Sequence, residues 1–146
     1  MARQVKFGVS LQSLMGKGEE LNFPELLEHS KLAEKLGYDS LWVWDHIILG
    51  SRKVFPIYYS LITLAGVAAV TQKIRVGTSV LILSIRNPVI LAKEVSTLDH
   101  LSSGRVILGV ASGWYEREFH ACAVPFKERS KRVEQNLMLM KKLCKK

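Results

Sequence analysis

The sequence predicts an α/β fold made of four consecutive strand–helix units. Short runs rich in β-branched and aromatic residues alternate with longer segments of helical periodicity from Val5 to about Leu143. This alternation is typical of βαβ units with right-handed crossovers and a parallel sheet. Distinctive residues stand at the ends of three predicted strands: Asp45-His46, Thr78-Ser79-Val80 and Ser112-Gly113-Trp114. We therefore expect the chemistry of this domain to gather at the carboxyl ends of its strands.

The first two units are delimited by clear turn and cap signals. Val5–Ser10 is the first predicted strand, and a polar, glycine-containing loop leads from it to a helix. Asn22 can cap this helix and Pro24 suits its first turn. Asp39–Trp44 is the second predicted strand, and the mostly apolar segment Tyr58–Gln72 is the second helix.

The third and fourth units follow the same plan. Ile74–Leu83 is apolar almost throughout, as expected for a parallel strand that is covered on both faces. The pair Asn87-Pro88 supplies a cap and a first helical residue for the third helix. Arg105–Ala111 is the fourth strand, Ser112–Phe126 is a loop with room for a short helix, and Glu128–Leu143 is the last helix. Four such units fit either an open doubly wound sheet or part of a barrel, which needs eight units in about 250 residues.

Length and composition favour one soluble globular domain. The 146 residues are 48% hydrophobic and 23% charged, and we expect a single domain over residues 1–146 without an internal boundary. No apolar run approaches the roughly 18 residues that a membrane span requires, and no signal segment precedes the first strand, so we expect a cytoplasmic protein that binds no membrane. Cys122 and Cys144 lack the spacing of a zinc site, so we expect reduced thiols and no metal.

The positive charge is concentrated at one end of the chain. The net charge is +8, and residues 127–146 alone hold eight basic residues against two acidic ones. No aromatic residue is interleaved with these charges, although nucleic-acid grooves use aromatic side chains for stacking. A basic helix of this kind is typical of a solvated face, so we expect no binding to nucleic acid.

Several stretches, taken in order along the chain, resemble one enzyme family. These stretches are Gly37–His46, Ile74–Val80, Arg86–Pro88, Leu91–Glu94, Leu98–Asp99, Ser103–Val106, Gly109–Trp114, and Val124–Phe126 with Arg129. With them the sequence is similar to the bacterial luciferase-like monooxygenases, and more narrowly to the branch that contains coenzyme F420-dependent oxidoreductases. The similarity extends over essentially the whole chain.

The resemblance implies a TIM barrel that binds FMN or the deazaflavin F420 at the carboxyl ends of its strands. It also implies four further βα units, whose loops usually supply much of the phosphate-binding site of the cofactor. The expected fold is therefore α/β, the N-terminal half, (β/α)4, of a TIM (β/α)8 barrel.

Asp45 and His46 are the predicted catalytic residues. Histidine gains and loses a proton near its ordinary pKa of about 6.5, and oxidation of an alcohol by a flavin or deazaflavin needs a group that takes the hydroxyl proton. The resemblance places the equivalent Asp-His pair of F420 enzymes against the reactive ring or the substrate. The alternative is that His46 only donates a hydrogen bond to a loop carbonyl. His29, His100 and His120 lack this context, and we assign them to structure or surface.

The cofactor-binding residues are predicted at all three strand ends. Ser79 and Val80 stand where, by resemblance, the F420 branch has a non-proline cis peptide bond behind the cofactor ring; the alternative is an ordinary strand end. Some F420-dependent sugar-phosphate dehydrogenases have a glutamate acid/base where this chain has Trp114, which argues against that activity here. Glu116 and Glu118 follow in a polar loop, and their spacing fits solvent exposure. The predicted cofactor contacts are Asp45, Thr78, Ser79, Val80, Ser112 and Gly113.

The expected function is that of a flavin- or F420-dependent oxidoreductase or monooxygenase acting on a small-molecule substrate, incomplete and inactive alone. The alternative is a non-catalytic half-barrel that self-associates, with or without a flavin-like ligand. A four-strand arc has two unpaired edges, so we expect a homodimer or a complementary half-barrel chain as partner, or else a truncated sequence. An open-sheet nucleotide-binding module would need a phosphate loop after the first strand, and Leu11–Glu20 contains none.

Overall fold

The computed structural model describes residues 5–15, 20–51 and 53–144. The start of the chain, residues 16–19 of the first predicted loop and the last two basic residues lie outside these ranges. None of the helices in the described part is long and apolar enough to cross a membrane. The strands are β1 (Gly8–Ser10), β2 (Ser40–Val43), β3 (Arg75–Ile82) and β4 (Val106–Ala111); the α-helices are α1 (Phe23–Lys35), α2 (Ser60–Val70), α3 (Pro88–Leu101), α4 (Glu116–Ala121) and α5 (Arg129–Leu143).

The strands of the described residues form one parallel sheet in the order β1-β2-β3-β4. A doubly wound sheet reverses its strand order at a switch point, and this sheet contains no such reversal. Strands that follow one another in chain order, each joined by a helical crossover, are the arrangement of a (β/α) barrel. The sheet topology therefore agrees with the half-barrel prediction and not with the open-sheet alternative.

The observed elements follow the predicted order, with differences at their ends. The first strand, Gly8–Ser10, is shorter than the predicted Val5–Ser10. Just before it, the amide of Phe7 donates to a side-chain oxygen, Asp39 Oδ2, at 2.7 Å, and not to a backbone carbonyl of the neighbouring strand. Helix α2 is one turn shorter than predicted. Asn22 and Asn87 cap α1 and α3 as expected, because their side-chain oxygens accept hydrogen bonds from amides of the first turn.

One face of the sheet packs against the helices. Leu41, Val43 and Val76 alternate with residues of the other face and are fully buried. They belong to one apolar cluster with side chains from four helices, namely Leu26 and Ala33 of α1, Leu61, Leu64, Val67 and Ala68 of α2, Leu91, Ala92 and Leu98 of α3, and Met140 of α5. The core of the domain therefore lies between the sheet and its outer layer of helices.

The opposite face of the sheet carries two tryptophans. The indole of Trp42 extends toward the neighbouring strands, where a Cβ on Gly77 would lie only 2.7 Å from its Cζ3 atom. Trp42 Nε1 donates to Ser40 Oγ at 2.9 Å, and Trp44 Nε1 donates to Ser10 Oγ at 3.1 Å. Trp44 remains 48% exposed. This face therefore leaves a large apolar side chain partly open at the carboxyl end of the sheet.

Two charged side chains bind the loops at the amino ends of the strands. The carboxylate of Glu34 accepts hydrogen bonds from three consecutive amides, those of Gln72, Lys73 and Ile74, at 2.7 to 3.1 Å. The guanidinium of Arg105 donates to Thr71 Oγ1 and to the carbonyls of Ala68, Thr71 and Ile74 in the same region. It also donates to the carbonyl of Ser102, just after α3. These contacts fix the chain between α2 and β3.

Candidate active site

A cleft of about 380 Å³ opens at the carboxyl ends of β2, β3 and β4. This volume lies within the range of roughly 300–1,000 Å³ that is typical of small-molecule sites. The cleft brings together most of the residues that the sequence predicted for a site. Its lining consists of Trp44, Asp45, His46, Ser79, Val80, Ile82, Ala111, Ser112, Gly113 and Trp114.

Asp45 lies two residues after the end of β2, and both of its carboxylate oxygens accept hydrogen bonds from other residues of the chain. Oδ1 accepts from Ser60 Oγ and from Arg86 Nη2, each at 2.7 Å, and Oδ2 accepts from the amide of Ile82 at 2.8 Å. Asp45 is 4% exposed. These contacts tie the end of β2 to the first residue of α2 and to the end of β3.

Arg86 is the buried counter-ion of Asp45, and the sequence interpretation assigned it no role. Burial alone would lower the pKa of the Arg86 guanidinium, but the Asp45 carboxylate and the neighbouring Tyr59 hold that pKa above its ordinary value. Arg86 Nη1 also donates a hydrogen bond to the hydroxyl of Tyr59. Asp45 lines the cleft and Arg86 does not, so this buried ion pair stands at one side of the cleft, at the carboxyl ends of β2 and β3.

His46 forms a buried pair with Glu118. His46 Nδ1 lies 3.0 Å from Glu118 Oε2, and the side chain of Glu118 has no solvent exposure. The other oxygen, Oε1, accepts hydrogen bonds from the amides of Ile47 and Ile48. Glu118 therefore holds both the imidazole and the backbone that follows it.

The expectation that Glu118 is solvent-exposed is wrong. The predicted loop after β4 contains the six-residue helix α4, which turns Glu118 inward while Glu116 remains exposed. Periodicity cannot reveal a buried face in so short a helix, because fewer than two turns give each face one or two residues. The sequence signal for a buried face here was the apolar residue that follows, Phe119, and the structure buries it fully.

The end of β3 contributes Ser79 and Val80 to the cleft. Their peptide bond is cis, as the resemblance implied, and the register between β3 and β4 shifts between Thr78 and Leu81. Val80 is 42% exposed. Thr78, which was predicted as a cofactor contact, does not line the cleft: its side chain is fully buried and its hydroxyl donates to the carbonyl of Gly109 at 2.8 Å.

The end of β4 contributes Ser112, Gly113 and the rim of the cleft. Gly113 has φ of +77°, and a Cβ there would lie 2.7 Å from Cγ2 of Ile82 and 3.0 Å from the ring of Phe119. Only glycine therefore fits this turn. Trp114 stands at the rim, 67% exposed, with its ring 6.0 Å from the imidazole of His46 and nearly perpendicular to it.

The chemistry of the lining fits a flat, mostly apolar ring beside the imidazole of His46. The partly exposed side chains of Trp44, Val80 and Trp114 supply apolar surface, and Gly113 allows close approach to the backbone. The imidazole of His46 can donate or accept a hydrogen bond with a bound molecule. No lysine or arginine is among the described residues that line the cleft, so these residues offer no charged partner for a phosphate.

Comparison with known proteins gives consistent matches. The family model described as luciferase-like monooxygenase matches residues 5–146. The chain is 35% identical over 129 residues to the F420-dependent glucose-6-phosphate dehydrogenase of Amycolatopsis mediterranei, a match that covers 86% of this chain and 39% of the relative.

Two solved structures share the fold. One is the oxygenating constituent of 3,6-diketocamphane monooxygenase from the CAM plasmid of Pseudomonas putida, in complex with FMN, with a TM-score of 0.83 and 20% identity over 96% of this chain and 39% of that one. The other is an F420-dependent secondary alcohol dehydrogenase in complex with an F420-acetone adduct, with a TM-score of 0.82 and 22% identity over 99% of this chain and 43% of that one. The chain thus spans about two-fifths of the length of these proteins, and its fold is that of half a TIM barrel.

Proposed function

Because the chain belongs to the luciferase-like monooxygenase family, we propose that its cleft binds the ring of coenzyme F420 or FMN for the oxidation or reduction of a small organic substrate. The observation that carries this proposal is the convergence of His46, Ser79-Val80 and Ser112-Gly113 on one cleft. Relatives with F420-dependent and FMN-bound chemistry support it. Whether F420 or FMN is the preferred cofactor is decided by the binding experiment below.

The residues of the chain have distinct parts in this proposal. A bound flavin or deazaflavin supplies the hydride chemistry. Val80 and Trp44 offer apolar surface to the ring, and the backbone at Gly113 approaches it closely. His46 takes the hydroxyl proton of the substrate, or returns it in the reverse direction. Trp114 stands where the resemblance has the glutamate of sugar-phosphate dehydrogenases, so the proposal does not extend to a sugar phosphate as substrate.

Cofactor titration of the purified chain tests this function. We expect saturable changes in absorbance or fluorescence with F420, with FMN or with both, and weaker binding by about five-fold for His46→Gln, since one hydrogen bond is worth about 1 kcal/mol. His29→Gln is the matched control, because His29 is exposed on α1 and does not line the cleft. Indifference of the chain to both cofactors would refute the proposal and favour the non-catalytic half-barrel.

We also propose that the active form needs a second half-barrel, from another copy of this chain or from a complementary chain. β1 pairs only with β2 and β4 only with β3, so in the described residues each outer strand has one unpaired edge. Trp44 and Val80 are partly exposed beside the cleft. Sedimentation of the chain, alone and with cofactor, is expected to show association; a stable monomer that unfolds cooperatively would contradict this pairing.

A further inference from the structure

We propose that Glu118 is a positioning residue that holds His46 in the tautomer with its proton on Nδ1. The other ring nitrogen, Nε2, is then unprotonated and able to accept a proton. The functional meaning of this arrangement rests on the role proposed for His46 above, whereas the tautomer itself is a property of the chain and can be measured without cofactor or substrate.

The hydrogen bonds of Glu118 determine which of the two residues, His46 or Glu118, donates in their contact. The amides of Ile47 and Ile48 point at Oε1, so this half of the carboxylate already accepts from two N–H groups. Oε2 faces His46 Nδ1 at 3.0 Å. An ionised carboxylate can only accept hydrogen bonds, and a neutral imidazole has one donor nitrogen and one acceptor nitrogen. The buried contact is therefore satisfied when Nδ1 carries the proton and donates it to Oε2.

No other described carboxylate competes for His46. Asp45, its neighbour in sequence, has its oxygens occupied by Ser60, Arg86 and the amide of Ile82. Trp114 contacts the imidazole through its ring and has no acceptor atom to offer. Within the described residues, Nε2 of His46 has no hydrogen-bond partner, so it is the nitrogen left for a molecule in the cleft.

The fold holds Glu118 rigidly in this place. Glu118 belongs to α4, and the next residue, Phe119, is fully buried with its ring 5.1 Å from that of Phe126 in an edge-to-face contact. The positive φ of Gly113 turns the chain from β4 toward this helix. The contact therefore joins the segments that follow β2 and β4, 72 positions apart in sequence.

Nitrogen NMR of the histidine side chains tests the proposal directly. In the ¹⁵N-labelled chain, measured above the ordinary histidine pKa of about 6.5, we expect one His46 tautomer with Nδ1 protonated and Nε2 unprotonated. His46→Gln assigns the signals by removing them. In Glu118→Gln we expect the two nitrogen shifts of His46 to exchange character, because the amide oxygen stays with the amides of Ile47 and Ile48 and its NH2 group then donates to Nδ1, which leaves the proton on Nε2.

Glu116→Gln is the matched control, since Glu116 is on the same helix, exposed, and 3.9 Å from the equally exposed His120. This variant should leave the His46 signals unchanged. A wild-type His46 protonated on Nε2 would overturn the proposal, and so would unchanged His46 signals in a folded Glu118→Gln chain. If that variant does not fold, the wild-type tautomer alone decides. Absence of cofactor binding would refute the proposed function and leave this assignment intact, so the two failures are distinguishable.

Discussion

The two ends of the sheet both carry charged side chains, but they use them differently. At the amino ends of the strands, Glu34 and Arg105 direct their hydrogen bonds to backbone groups and to one hydroxyl in the loop between α2 and β3. At the carboxyl ends, the largely buried His46 is held by Glu118 through one ring nitrogen and lines an open cleft. The charged side chains at the amino ends therefore stabilise the loops, whereas the carboxyl ends keep a cleft available for a ligand, as expected for a (β/α) barrel.

The electrostatics of Glu34 show what the amino end gains. Burial on its own would raise the pKa of the Glu34 carboxyl, but the hydrogen bonds from the amides of Ile74, Lys73 and Gln72 and the charge of Arg105 together lower it. A carboxyl whose pKa is lower in the folded than in the unfolded chain stabilises the fold above its ordinary pKa. Glu34 therefore contributes to stability at neutral pH without facing any ligand.

Asp45 and Arg86 lie at the carboxyl end of the sheet, but like Glu34 and Arg105 at the amino end they use their charges to stabilise the fold. Both are almost fully buried, and their charges are paired at 2.7 Å. Removing one member of such a pair leaves the other charge buried without a counter-ion, which is costly. Two buried pairs therefore stand beside the cleft: Asp45 with Arg86, an ion pair, and His46 with Glu118, of which the imidazole lines the cleft.

The largest expected effect is at the buried ion pair of Asp45 and Arg86. Asp45→Asn should lower the free energy of unfolding by about 3–5 kcal/mol, because the guanidinium of Arg86 loses its buried partner. Urea unfolding measures the change. Asp99→Asn is the control for the same substitution at an exposed site, and it should change stability by less than about 0.5 kcal/mol. Equal losses in the two variants would contradict the stabilising role that we give to Asp45.

A smaller effect is expected at the opposite end. Glu34→Ala removes the acceptor of three backbone amides and should lower the free energy of unfolding by about 1–3 kcal/mol at neutral pH. Because the folded pKa of Glu34 is lowered, its contribution is complete above the ordinary value of 4.5 and is lost as the pH falls through the folded value. The stability difference between wild type and variant should therefore shrink in acid.

Glu28→Ala is the control for this prediction, since Glu28 lies on the same helix and only forms an exposed ion pair with Lys31. The Glu34 variant should also leave the His46 NMR signals and cofactor titration unchanged. A Glu34 variant that alters the cleft, or one whose stability difference grows in acid, would break the distinction between the two ends of the sheet.

The elements and most of the site residues could be predicted from sequence. Strand and helix periodicity placed the four units in their observed order, and the caps Asn22 and Asn87 were identified from their residue types and positions. The residues at the strand ends, among them His46 and Val80, meet in one cleft because parallel strands align their carboxyl ends at the same edge of a sheet. Their catalytic and cofactor-binding roles stay predictions.

The sequence by itself determined the order of the elements, the polar residues that end the strands and the family to which the chain belongs, because caps, periodicity and motifs are local patterns. Tertiary structure decided the partners of those residues. Three contacts depend on which segments pack together: the buried pairing of His46 with Glu118, the ion pair of Asp45 with Arg86, and the hydrogen bond that Thr78 makes to the backbone away from the cleft. Such contacts join residues dozens of positions apart, and local sequence carries no information on burial at that distance.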